Sequence, residues 1–141
     1  MTTGDGAARE SVSWLGEPQL RDDGAVAVLA GTVDGDVDRT ITHLLWSAGP
    51  RCDFVPIDTE GRTRSPRWRP GTNEIAYAED DCVVVVDVAT GRARRHALGA
   101  VVTEIAWRPG GHALCAIVAG GPAGPRARAF KAAPTVVAGR K

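Results

Sequence analysis

The sequence predicts an all-β chain, a partial β-propeller of about three four-stranded blades followed by a disordered tail. Three observations carry this. The tetrapeptide Trp68-Arg69-Pro70-Gly71 returns as Trp107-Arg108-Pro109-Gly110, 39 residues on. Each copy leads through a Pro-Gly turn into a short apolar segment, Ile75-Ala76-Tyr77-Ala78 and Leu114-Cys115-Ala116-Ile117. A weaker copy, Leu20-Arg21-Asp22-Asp23-Gly24 running into Ala25–Ala30, precedes Trp68 by 48 residues, so the first unit carries an insertion.

The second unit shows the strands most plainly, near 64–69, 74–79, 82–88 and 93–98. Ile75 and Tyr77 alternate with Ala76 and Ala78, the period of a strand lying between two layers. Val83-Val84-Val85-Val86 does not alternate, which implies burial on both faces. Its β-branched side chains also disfavour a helix. Ala89-Thr90-Gly91-Arg92 then turns the chain into 93–98. Four short strands in about 40 residues make one blade. The units are placed at 14–60, 61–99 and 100–119, the last incomplete, after a flexible N-terminus at 1–13. The repeated tryptophan is expected to fill space between adjacent sheets. A β-sandwich with two similar hairpins is the competing architecture.

Composition excludes several classes of function. Lys+Arg and Asp+Glu both number 17 in 141 residues, so no net charge draws the chain to nucleic acid or membrane. The charges are divided: 11 acids against 4 bases over residues 1–60, and 6 against 13 over 61–141. No apolar segment approaches membrane-spanning length, and the polar start does not resemble a secretory signal, so a cytoplasmic location is expected. Cys52, Cys82 and Cys115 are odd in number and lack CxxC spacing, and are expected to behave as small buried hydrophobes.

Among Ser11, Ser13, Ser47 and Ser65 none lies in Gly-x-Ser-x-Gly; Ser47, in Trp46-Ser47-Ala48-Gly49, comes nearest but lacks the first glycine. His43, His96 and His112 have no serine or cysteine partner pattern, so no catalytic residue is assigned. Asp34, Asp36 and Asp38 alternate like the start of a calcium loop. However, Arg39 occupies the slot that needs glycine and Leu45 the slot that needs glutamate, so a solvated hairpin insertion at 32–39 is expected. Trp14, Trp46, Trp68 and Trp107 near arginines suggest stacking on bases, but the repeat accounts for two and a strand for a third. No metal, cofactor or phosphate site is expected. From Gly120 onward the Gly, Pro, Ala and Arg content reads as a basic tail that continues no blade.

The units resemble the WSPDG-type, WD-like blades of TolB-like propellers. In motif order the chain is more similar to the N-terminal propeller of prolyl oligopeptidase-family serine peptidases, the acylaminoacyl-peptidase type above all. The likeness rests on Pro18-Gln19-Leu20-Arg21-Asp22-Asp23-Gly24, the acidic insertion Thr32–Arg39, His43-Leu44-Leu45-Trp46 and Ser65-Pro66-Arg67-Trp68-Arg69-Pro70, over residues 14–119. The sequence departs from the pattern where Pro70-Gly71-Thr72 and Pro109-Gly110-Gly111 lack the turn aspartate, which implies less firmly held turns. The resemblance implies a substrate-gating propeller segment, truncated before an α/β-hydrolase domain and without enzymatic activity of its own. A TolB-like protein-interaction module is the alternative. Partners are then a peptide or protein, or further copies of the chain meeting through exposed blade edges.

Overall fold

The computed structural model describes residues 14–34, 39–57, 62–120 and 124–131. Eleven strands form three antiparallel sheets, and in each the strands follow one another in chain order. Sheet one holds β1 (Trp14–Leu20), β2 (Val26–Asp34), β3 (Arg39–Ser47) and β4 (Val55–Ile57). Sheet two holds β5 (Thr63–Trp68), β6 (Glu74–Glu79), β7 (Cys82–Asp87) and β8 (Ala93–Ala97). Sheet three holds β9 (Val102–Trp107), β10 (Ala113–Val118) and β11 (Arg126–Lys131).

The four strands of sheet two fall within a residue or so of the segments that periodicity predicts. Both faces of this sheet are covered. Ile75, Tyr77, Val84 and Val86 pack on Ala27, Leu29, Leu44 and Ile57 of sheet one. From its other face Ala76, Ala78, Val83 and Val85 pack on Val102, Ile105, Leu114, Ala116 and Val118 of sheet three. Val83–Val86 is buried throughout, as its unbroken β-branched run requires. The acidic insertion is the distal part of the β2–β3 hairpin, whose register runs from Val26↔Ser47 out to Asp34↔Arg39. Asp36, Asp38 and the rest of 35–38 lie outside the described residues, as do 1–13, 121–123 and 132–141.

One expectation is corrected. Residues 126–131 are not a disordered tail: β11 pairs with β10 from Ala113↔Lys131 to Val118↔Arg126. The segment alternates, and paired residues share a face, which puts Arg126, Arg128 and Phe130 beside Val118, Ala116 and Leu114. Phe130 joins the core between sheets two and three and lies 5.1 Å from the His96 ring, while Arg128 donates to the Leu98 carbonyl. The aromatic anchor supplies the burial that the Gly- and Pro-rich flanks lack, and the Arg128 hydrogen bond ties the strand to sheet two's exit. Cys52 is likewise exposed and not buried, since it sits in the turn after β3; Cys82 and Cys115 are half-buried.

Candidate functional site

The repeated turns are where the three sheets meet one another. Each begins at the arginine after the first strand: Arg21 N–H donates to the Ala25 carbonyl, Arg69 N–H to Glu74 and Arg108 N–H to Ala113. The first turn is one residue shorter, so Ala25 corresponds to Glu74 and Ala113. Asp23 Oδ1 accepts the Ala25 N–H at 3.1 Å. In the second turn Thr72 Oγ1 accepts the corresponding Glu74 N–H at 3.0 Å and donates to the Arg69 carbonyl. The aspartate missing from this turn is thus replaced by a threonine hydroxyl at the next position, a side-chain turn of the same kind. Gly111 takes that place in the third turn, with φ of +76°.

Across each seam a matching set of contacts recurs. The Trp68 indole N–H donates to the Gln19 carbonyl of β1 at 2.9 Å, and Trp107 N–H donates to the Arg67 carbonyl of β5 at 3.1 Å. Each acceptor is the residue just before the tryptophan-equivalent position of the previous unit. The Arg21 guanidinium lies 4.6 Å from the centre of the Trp68 ring, and Arg69 lies 4.9 Å from that of Trp107. The same arginines reach on to the next turn: Arg21 donates to the Thr72 carbonyl and Arg69 to the corresponding Gly111 carbonyl. A third contact comes from a bulge in the first strand. Glu17 and Ser65 both have positive φ, 50° and 56°. The Glu17 carboxylate accepts the Ser65 N–H, and Ser65 Oγ accepts the Ile105 N–H.

The tryptophans therefore do more than fill space. Residue spacing locates them, but their hydrogen bonds and the arginine that covers each one do not follow from spacing alone. The signal was present, because arginine follows the repeated position in all three copies, at 21, 69 and 108.

The electrostatics are those of a joint. Arg21 pairs with Asp23 at 2.8 Å, and this hydrogen bond is the main reason the Asp23 pKa falls to about 2. Arg69 and Glu74 form a buried ion pair at 2.6 Å. A cleft of about 510 Å³ opens beside Arg21, Asp22, Asp23, Trp68 and Asn73, and a second of about 420 Å³ lies beside Thr72, Asp87, Gly110 and His112. Both clefts are walled by the seam arginines, whose donors already serve Asp23, Glu74 and the turn carbonyls.

Ser47, the serine nearest an elbow pattern, is buried at the end of β3. Its hydroxyl contacts the Gly49 and Cys52 carbonyls at 2.8 and 3.0 Å and accepts the Gly49 N–H, so it pins the turn. Ser65 serves the seam; Ser11 and Ser13 lie outside the described residues. The three histidines fall in separate places: His43 on β3, His96 on β8 and His112 exposed in the third turn. Burial, followed by the Arg94 charge, pushes the His96 pKa below its usual value, and its Nε2 is a buried nitrogen without a hydrogen-bond partner. Burial, with the Asp81 carboxylate next, raises the Cys82 pKa and so disfavours the thiolate. No helix is long and apolar enough to cross a membrane among the described residues.

No family model matches the sequence, and no curated protein matches it. Solved structures do match. The chain is similar to the acylaminoacyl peptidase of Pyrococcus horikoshii in its orthorhombic crystal form, with a TM-score of 0.66 at 17% identity. It is similar to the uncomplexed enzyme from the same organism, with a TM-score of 0.61 at 18% identity. A third match is an acylaminoacyl peptidase in complex with Z-Gly-Gly-Phe-chloromethyl ketone, with a TM-score of 0.62 at 16% identity. These alignments cover 79%, 76% and 79% of this chain, and 18%, 17% and 18% of the peptidase chains. The likeness that motif order suggests is met at the level of the fold.

Proposed function

We propose that residues 14–131 are a non-catalytic β-propeller segment: three successive blades of the kind that, in prolyl oligopeptidase-family serine peptidases, gate the approach of peptides to a hydrolase domain. The observation that carries this is the seam. Blades of a propeller are related by one repeated rotation, so equivalent residues must make equivalent contacts from blade to blade. Trp68 with Gln19 and Trp107 with Arg67 meet that requirement, and so do Arg21 and Arg69 on the following turns. A sandwich of two facing sheets has no reason to repeat such contacts in series. The fold likeness to acylaminoacyl peptidases supports the same reading.

The non-catalytic part rests on the engaged groups. Ser47 is held by two turn carbonyls, Ser65 by a strand N–H of the next sheet, and the seam arginines by carbonyls and carboxylates. Pure protein offered acyl-amino-acid and short peptide chromogenic substrates is expected to give no turnover above blank. Hydrolysis abolished by Ser47→Ala would overturn the reading. The gating role is tested at the locus: it predicts a Gly-x-Ser-x-Gly elbow followed by Asp and His encoded close by. An independent gene bearing no such motif beside it would favour a separate interaction module instead.

A further inference from the structure

The contacts between sheets have a giving and a receiving half, and two parts of the giving half, the carbonyl and the guanidinium, are present three times. On the earlier side of the two formed seams stand an edge-strand carbonyl, a guanidinium and a polar bulge residue. These are Gln19, Arg21 and Glu17 on sheet one, and Arg67, Arg69 and Ser65 on sheet two. By the 39-residue spacing the carbonyl and the guanidinium have equivalents on sheet three in Ala106 and Arg108, both exposed; the bulge residue is not repeated there, since Glu104 pairs in register with Ile117 and lacks the positive φ of Glu17 and Ser65. The apolar positions behind them follow suit. Ala27 and Leu29 of sheet one and Ala76 and Ala78 of sheet two are fully buried under the next sheet. Their equivalents are Cys115, half-buried, and Ile117, 37% exposed.

We infer that the outer face of sheet three is a docking surface for one more antiparallel sheet, whose first strand carries a tryptophan. The indole N–H goes to the Ala106 carbonyl, and Arg108 covers the ring and reaches the carbonyl of that sheet's first turn. The surface continues a joint that this chain already makes twice, which is what identifies its occupant. A second copy of the chain does not match it. Sheet one holds Leu20, 78% exposed, at the tryptophan position, and leucine has no N–H to give. The inference deepens the proposed function and rests on it, since a serial array is what makes the three positions equivalent.

The test supplies the occupant from the chain itself. The full protein is extended at its C-terminus by a second copy of residues 62–99, the unit that carries Trp68, with Cys52→Ser and Cys82→Ala in every copy. Cys115 is then the sole thiol, and it reports cover over the outer face. Its reaction with a chromogenic disulfide reagent is expected to slow by roughly tenfold or more relative to the unextended chain, as for any group reachable only through local opening. Arg108→Ala, a change at an exposed residue, or Trp68→Leu in the appended copy alone is expected to restore most of the rate. An unchanged rate on extension overturns the inference. So does slowing that both substitutions leave intact, because plain apolar cover would then suffice. Light scattering on the unextended chain should find a monomer; an oligomer that Ile117→Lys dissolves would make a second copy the occupant and also overturn it. Failure of the serial-array reading itself shows elsewhere, as unprotected Trp68 and Trp107 indoles in the unextended protein.

Discussion

Replacing Trp68 by leucine turns the second unit's joint into the residue that the first unit carries. Three contacts go with it. The indole hydrogen bond to the Gln19 carbonyl contributes about 1 kcal/mol. The Arg21 guanidinium over a half-exposed ring contributes roughly 0.5–1 kcal/mol. The edge-on packing with Trp46, at 6.3 Å and 77°, contributes about 0.5–1.5 kcal/mol. The expected loss is therefore about 2–3.5 kcal/mol, or near 10 °C in Tm for a domain of this size. Trp68→Phe separates the parts, because it keeps a ring under Arg21 and against Trp46 and removes only the N–H. It should lose about 1 kcal/mol, and Trp107→Phe should lose a similar amount because its N–H makes the equivalent bond. Urea unfolding followed by far-UV circular dichroism reads all three, with an unchanged slope confirming that only stability has moved. If Trp68→Phe and Trp107→Phe are both silent while Trp68→Leu is destabilising, the seams are held by ring packing alone and the hydrogen-bonded joint is refuted.

Four further outcomes follow from the same geometry. Leu20→Trp, at an exposed position that no other sheet covers among the described residues, should stay within about 0.5 kcal/mol of the parent in the same urea assay. Arg69→Met removes one partner of a buried ion pair and the cover over Trp107, so a loss of about 3 kcal/mol or more is expected, and adding Glu74→Gln should recover part of it. Gly71→Ala and Gly111→Ala both force alanine into positive φ, at about 1 kcal/mol each. The Gly111 change should be the costlier by thermal denaturation, because its Cβ would stand 3.2 Å from Arg69 Cγ, whereas nothing lies within 4 Å at Gly71. His96 has a folded pKa below its usual 6.5, so the unfolded chain binds the extra proton first. Its contribution is complete above 6.5 and is lost as pH falls through the folded value; urea midpoints should decline below 6.5, and His96→Leu should flatten that decline.

Sheet two was legible because local and tertiary signals agree there. Its turns are marked by Pro70-Gly71 and Gly91, and its central strands, Glu74–Glu79 and Cys82–Asp87, carry side chains that suit burial on both faces. The strand β11 was not legible, since Arg126–Lys131 has one aromatic residue among arginines and alanines. It forms because Leu114 and Ala116 of β10 present it with a paired edge and a core to reach. The joints lay between these cases. Spacing showed the tryptophans, but a hydrogen bond to a carbonyl 40 or 49 residues away depends on how two sheets stack, which no local pattern contains. Thr72 shows the same limit at short range: a missing aspartate reads as a weakened turn until the hydroxyl beside it is seen to accept the same N–H.

Hydrogen exchange at the indole nitrogens reaches the central claim most directly, that these sheets follow one another through a repeated joint. In a nitrogen-15 spectrum the Trp68 and Trp107 side-chain protons are predicted to exchange at least about a hundredfold more slowly than a free indole, as bonded groups opened only by local unfolding do. Arg21→Ala should speed Trp68, and Arg69→Met should speed Trp107. Exchange of both indoles at the free rate in the folded protein would contradict the joint, and with it the reading of this chain as blades in series.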